Sequence, residues 1–516
     1  QNTFTRTGYT FAGWNEQQTG GAIYNDGGTV RDLVAAGGTV TLYAQWTAWE
    51  TVEPVTFSHP DGTKIYFDEY MVVELSTTTP NATIQYHLGD GQWKVYTAGN
   101  WIHVSDTTIT ARATHAGMVD SAETQATYTV RKLTGITVTP PTRRVYSVGD
   151  TFDSSGMVVT ATYDDGAQRD VTGLTGLTTD FDSVAATTGL GKNVTVSYSE
   201  GATASPNSST FTVDVTYKFT ETVQDVDSGY TGTMGGGRYV KFGDWPQKVM
   251  ASGVTLDGSR SQTMGMFTCY LGSDGNWYVE AEENAYGSGT AYQYSNGERA
   301  GQGGTTTKWF KVEPIVWRVL TENYNGKALL LAEKVLTGGI VWDDDKNNYM
   351  ESNIRRWLNG NSGTAAQSDY VNGTGFLQTA FTVNAQNLIA ATTVENSEGS
   401  TFGTGETQQA NQSVCSNTTD KIFLLSQQEA TTSGYGFAAY GESDSTRIRV
   451  TTDYAKATGA NQDSTADYGG WWWLRSPIYG SESYARVINN RGRANLNRDV
   501  DYTDGGVVPA LCVQLP

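Results

Sequence analysis

Histidine, cysteine and positive charge are scarce in this chain of 516 residues. The four histidines, His59, His87, His103 and His115, all lie early, so everything after His115 lacks a Ser–His or Cys–His dyad. Their spacings match no zinc-ligand pattern and read as scattered surface residues. Cys269, Cys415 and Cys512 are an odd, widely spread set. They give neither a disulfide framework nor a metal spacing, and buried free thiols are expected, with one bridged pair as the alternative. Lys and Arg number 34 against 54 Asp and Glu, a net charge of −20. That excludes a nucleic-acid partner, which needs a basic footprint, and disfavours anionic membrane surfaces. There is no run of 18 apolar residues, hence no transmembrane span, no direct membrane insertion and no signal peptide. The chain begins in mid-motif at Gln1, which predicts a fragment with any export signal or anchor upstream.

What is present is glycine, threonine, serine and short alternating apolar runs, with 17% charged and 11% aromatic residues. The profile predicts a mostly β chain of about three to five domains. Residues 1–48 carry alternation at both ends, Phe4 to Trp14 and Val40 to Trp46, around a Gly-rich turn at 25–30. This segment resembles the Listeria–Bacteroides repeat, a small β-grasp-like module of surface proteins. Its aromatics read as core, since few other apolar residues could build one. Residues 49–131 alternate at 72–77, 82–86, 108–113 and 126–130, separated by Asp61-Gly62 and Gly89-Asp90-Gly91, which predicts a sandwich. The run TTPNATIQY followed by ITARA resembles the Ig-like domain at the C-terminus of chitobiase-type glycosidases. Residues 132–217 open with Leu133 to Pro140 and continue through 146–150, 156–166, 194–198 and 211–215, with Asp165-Gly166 as a hairpin signal. The motif order resembles a bacterial Ig-like domain. Only Arg131 and Lys132 link these two modules, which predicts a semi-rigid, extended spacer.

From about Thr220 the texture changes. Buried-strand patterns at 240–247, 312–320 and 327–336 precede Ile354, Trp357 and Leu358 at helical spacing, capped by Ser352 or Asn353. A second helix is predicted over 375–389 with Phe376, Ala380 and Phe381 on one face, then a strand running into a helical turn at 422–429 and a short helix at 452–456.

Near the end, Gly469-Gly470-Trp471-Trp472-Trp473-Leu474-Arg475-Ser476-Pro477 and Gly505-Gly506-Val507-Val508-Pro509-Ala510-Leu511 bracket 27 polar, irregular residues. The bracket reads as buried framework, because three tryptophans are costly in water. Residues 478–504 hold four Asn, four Arg, three Asp and three Tyr, with no Lys, Gln, Met or Trp and one Glu, Glu482. Tyr, Asn, Ser, Gly and Arg are the vocabulary of an adaptable binding surface, although a polar strand-and-turn segment without a partner has the same look. WWWLRSP, ARVINNRG and GGVVPAL, after FGDWPQ, PIVWRVL, IRRWLN and FLLS, resemble a C-type-lectin-like domain over about 300 residues. The kind is that of variable proteins diversified by diversity-generating retroelements, related in fold to the formylglycine-generating enzymes. In that family, adenine-directed mutagenesis of Asn codons randomises exposed residues, and such codons cannot become Lys, Gln, Glu, Met or Trp. The composition follows that rule, with Glu482 as a fixed exception.

The resemblance, together with alternation, implies a ligand-binding set of Ile478, Tyr479, Ser481, Ser483, Tyr484, Ile488, Asn490, Arg491, Arg493, Asn495, Asn497, Arg498, Asp499, Asp501 and Tyr502. Residues 471–477, Gly492, Val500 and 506–510 would be framework. No catalytic residue and no cofactor is expected in 218–516: the formylglycine-generating relatives use a close cysteine pair with copper, and no motif here matches it. A structural calcium ion at Asp343 or Asp345 is an open alternative to a solvated acidic loop. As an EF-hand from Asp343, position 12 would be Ile354 and position 6 is not Gly. The calcium-binding EPN, QPD and WND motifs of sugar-binding lectins are absent. The expected fold class is a mostly β multi-domain chain, namely a β-grasp-like repeat, two Ig-like β-sandwiches and an α+β C-type-lectin-like domain. The expected function is ligand binding at a cell surface, by a monomer, toward a protein or glycan on another cell, phage or host. A carbohydrate-binding or carbohydrate-active protein of fixed specificity, and a passive stalk, are the alternatives.

Overall fold

Short alternating runs make strands here almost everywhere, and the chain is a mostly β, multi-domain protein. The computed structural model describes residues 1–201, 204–226, 230, 232, 237–360, 374–465 and 469–515. Two compact units result: residues 1–142, 153–180 and 194–211, and residues 143–152, 181–193 and 212–516.

In the first unit, Tyr9–Asn15 and Tyr43–Ala48 pair antiparallel with a bulge between Phe11 and Gly13. Phe11 sits edge-on to Trp14 and Trp46 at 5.2 and 5.4 Å, but all three rings are only half-buried, so they pack on one another without forming the buried core that the sequence suggested. The next module orders its main sheet Lys64–Ile65, Thr124–Val130, Thr107–Thr114, Thr83–His87, Lys94–Val95. Ile84, Ile109, Ala111, Ala113, Ala126 and Tyr128 point from it into a dry core. The two-residue link that follows is clamped. Tyr66 lies between the guanidinium groups of Arg131 and Arg169, each 4.6 Å from its ring, and Arg131 pairs with Asp165 at 2.9 Å. Leu133–Thr139, Val158–Tyr163 and Gln168–Asp170 then form a three-stranded sheet whose hairpin turns at Asp164 to Gly166.

The second unit contains the parallel pair of Val145–Ser147 with 214–216 and, after it, a nine-stranded sheet. Its spine is the long strand Thr307–Tyr324, which pairs with Tyr239–Val249, Trp277–Glu282 and Lys327–Ala332. Ala510–Val513 enters this sheet between Lys327–Ala332 and Ile422–Phe423. Trp245, Trp317, Trp342 and Trp472 are buried, and each indole N–H donates to a backbone carbonyl, of Leu336, Phe242, Leu474 and Arg447 respectively. Satisfying that donor lets a tryptophan contribute its area without an unpaired polar group.

The helix Asn353–Asn359 starts at Ser352, whose Oγ accepts from the Arg355 N–H. The single helix predicted over 375–389 is instead two, Phe376–Ala380 and Val383–Leu388. Phe381 is extended, and the Thr382 hydroxyl accepts from the Ala385 N–H. A capping threonine offers the backbone a fresh start that competes with continuing the helix. Ile422–Phe423 leads into the turn Glu429–Thr431, and Asp453–Ala457 forms a short helix capped by Thr452. Trp472–Pro477, Tyr484–Ile488 and Leu496–Asp499 make a separate three-stranded antiparallel sheet that carries the segment 478–504.

Candidate functional site

The framework around the segment is rigid. All of 471–477 and 505–511 is buried. Arg475 is 2% exposed and its guanidinium grips Glu429 with both terminal nitrogens, while also donating to the carbonyls of Leu424 and Glu395. Burial pushes the Glu429 carboxyl up, but Arg475 outweighs it and holds it below the usual range. Gly505 lies where a Cβ would come within 2.0 Å of the Trp473 indole nitrogen, so the closing bracket can approach the tryptophans only as glycine.

Between the brackets, exposed, half-buried and buried residues are interspersed, with strict alternation only in short stretches such as 491–494. Tyr479, Tyr484, Arg491, Arg493, Asp501 and Tyr502 are exposed, and Ile478, Ser481, Ser483, Asn490, Asn495, Asn497, Arg498 and Asp499 are half-buried. Ala485, Val487, Gly492, Ala494 and Val500 are buried. Ile488 corrects the expectation: it is fully buried, opposite Trp472, and belongs to the core. Its strand is the middle one of three and is covered on both faces, so alternation does not mark an outward side. Arg486, on that strand, is buried in an ion pair with Glu406. The hairpin tip is set by Asn489, whose side-chain oxygen accepts from the N–H groups of Arg491 and Arg493. Val500 is pinned by its N–H on the Ser483 carbonyl and by Trp342 and Asp343 donating to its carbonyl.

Eight of the fifteen residues expected in one binding set line two hollows. One, of about 470 Å³, takes Tyr484, Asn490, Asn497, Arg498, Asp499 and Tyr502. The other, of about 580 Å³, takes Tyr479 and Ser481 against Asn347, Gln412 and Ser413. Ile478, Ser483, Arg491, Arg493, Asn495 and Asp501 line neither; Arg493 donates to the Ser443 hydroxyl at 2.9 Å. The first hollow also uses residues outside the expected set: Tyr286, Asn461, Trp471, Asn489, Leu496 and Asp504. Trp471 donates its indole N–H to Asp504 at 3.2 Å, and the Arg498 guanidinium lies 5.7 Å from the Trp471 ring. Burial raises the Asp504 carboxyl, against the opposing pull of Trp471 and Arg498. Tyr286 lies nearly 200 residues upstream in a loop without periodicity, and no sequence signal singles it out.

The acidic cluster is partly structural. Asp343 accepts from the N–H groups of Asp345, Lys346 and Asn353, so its carboxylate organises the loop and the start of the helix behind it. The three cysteines are free thiols, and burial pushes Cys269 and Cys512 up to about 12. Among the described residues no helix is long and apolar enough to cross a membrane, and no group of three or more His, Cys, Asp and Glu could hold a metal ion.

Residues 325–515, which include the whole segment and both hollows except Tyr286, match a domain of unknown function (DUF6273). Residues 1–45 match the Listeria-Bacteroides repeat domain, and residues 139–215 match the bacterial Ig-like domain (group 3). Both of these modules were expected from the sequence. No curated protein matches the chain.

Proposed function

We propose that this chain is a binding protein displayed at a cell surface. Its C-terminal domain is of the C-type-lectin-like kind found in retroelement-diversified variable proteins, and it presents a ligand-binding face built from 478–504. The carrying observation is the interleaving of exposed Tyr, Arg and Asp side chains with a buried, hydrogen-bonded framework inside one short segment. Ordinary surface does not need a buried scaffold running between its exposed residues within one short segment. A face whose contact residues change does, because the fold must then rest on the others. Tyrosines supply rigid contact area and arginines charge-assisted hydrogen bonds. The ligand is a protein or glycan on another cell, a phage or a host. The preceding modules are spacers, and the chain has no catalytic role.

The test is to sequence the 3′ end of the gene and the DNA just downstream across many cells of the source population. Differences confined to codons of the exposed and half-buried residues of 478–504, beside a near-identical template with adenines at those positions, are the expected result. An invariant segment without a template would sink the diversified reading.

A further inference from the structure

The hollow that holds Trp471 has a chemistry of its own. Tyr286, Tyr484 and Tyr502 stand 57%, 38% and 47% exposed around it, so their ring surfaces are open to a ligand. Two carboxylates, Asp499 and Asp504, share it with one cation, Arg498. Asp504 is fixed by the Trp471 indole and by the Asn461 N–H, which donates to the Asp504 carbonyl at 2.9 Å. Arg498 forms no salt bridge among the described residues, and the acceptor of its one side-chain hydrogen bond is its neighbour's carbonyl, of Asn497, at 3.2 Å. It stands over the Trp471 face at 5.7 Å, which demonstrates that a guanidinium fits against that ring.

We propose that this hollow receives the lysine or arginine side chain of a protein partner, its cation lying among the tyrosine rings and facing Asp499 and Asp504. The proposal rests on the reading of 478–504 as a binding face and names its partner's chemistry. Aromatic faces attract a cation through the ring quadrupole, the more so when it is partly desolvated. An apolar ligand would cover the two carboxylates without repaying their lost hydration, whereas a basic side chain repays it with charge-assisted hydrogen bonds. The net charge of −20 steers basic partners in the same direction. Arg498 would swing aside or stack on the incoming group.

The experiment uses the full chain with its tryptophan indoles labelled with nitrogen-15. Trilysine, triarginine, triglutamate and a methyl glycoside are titrated in, and the Trp471 indole N–H resonance is followed. Trilysine and triarginine are expected to move it, with affinity falling about tenfold between about 50 and about 500 mM salt. Asp499→Asn and Tyr502→Ala, both at solvent-reached positions, should each weaken it severalfold, and Asp504→Asn most. Binding of the basic peptides that persists unchanged in Asp499→Asn and Tyr502→Ala overturns the proposal. A response to the glycoside but not to the basic peptides overturns the cationic class and leaves the binding face standing. No response of any labelled indole to any probe counts against both.

Discussion

Gly492→Ala separates framework from contact residues within three positions. Gly492 has φ +72°, and a Cβ there would lie 1.9 Å from the Asp444 carbonyl oxygen. The left-handed backbone alone costs a side-chain-bearing residue about 1–2 kcal/mol. The clash is with backbone, so it cannot be relieved by turning a rotamer. Asp444 is itself tethered: its carboxylate accepts from the Ala438 and Thr446 N–H groups, and its carbonyl from the Arg447 N–H. Arg447, fully buried, in turn donates to the Gly492 carbonyl at 2.7 Å. Shifting Asp444 therefore disturbs both ends of one closed loop of hydrogen bonds, which adds roughly 1–3 kcal/mol of overpacking strain. The sum is roughly 2–5 kcal/mol. Arg491→Ala and Arg493→Ala, on either side, should stay within about 0.5 kcal/mol, as exposed positions do. Urea unfolding of the full chain, followed by the fluorescence of the buried tryptophans, gives the three midpoints. A harmless Gly492→Ala, or an arginine substitution costing as much, would refute the division of the segment into scaffold and face.

Removing one partner of the buried Arg475–Glu429 pair by Arg475→Met should cost about 3–5 kcal/mol, with Arg475→Met, Glu429→Leu recovering part of it; a double-mutant cycle in urea measures the coupling. Asp244, buried beneath Tyr217 and Thr220, is pushed up to about 6 by burial against 3.8 unfolded. Its folded form holds the proton more tightly, so its share of stability is full below about pH 4 and is lost as pH rises through 6, a change of about 3 kcal/mol that Asp244→Asn should abolish in a pH series of unfolding curves. Cys269 and Cys512, raised by burial, should resist alkylation at pH 8 in the folded chain and react on unfolding, as mass spectrometry of the labelled peptides would show.

Most of the architecture was legible because its signals are local. Alternation located the longer strands of the first three modules but missed the short ones at Thr56–Phe57, Lys64–Ile65, Lys94–Val95, Ile102–Val104, Gln168–Asp170 and Leu177–Thr179; Asp165-Gly166 marked the hairpin, and the helix start fell on Ser352, one of the two caps expected there. The burial of the tryptophan run followed from its cost in water. What escaped depends on partners far away in sequence. Ile488 is inside because Trp472 and the rest of the core cover its strand from both sides. Thr382 restarts a helix that the spacing of Phe376, Ala380 and Phe381 would have run through. Tyr286 and Asp504 join the hollow through tertiary packing, and Glu429 meets Arg475 across 46 residues.

Arginine shows why composition alone could not sort the segment into exposed and buried residues. The segment has four, and the same residue type serves opposite ends. Arg486 is sealed against Glu406, whereas Arg491 and Arg493 flank a buried glycine in the open, and Arg498 lies over Trp471. Position decides the role, and over 491–494 position changes every residue: 491 out, 492 in, 493 out, 494 in. Such a segment tolerates exchange of one side chain for another, but an inserted residue would carry Gly492 off the Asp444 carbonyl and turn the following side chains to the wrong side. Loops that vary in length, as in antibody paratopes, need no such register. Substitution at fixed length is therefore the change that leaves the buried residues of this segment in place.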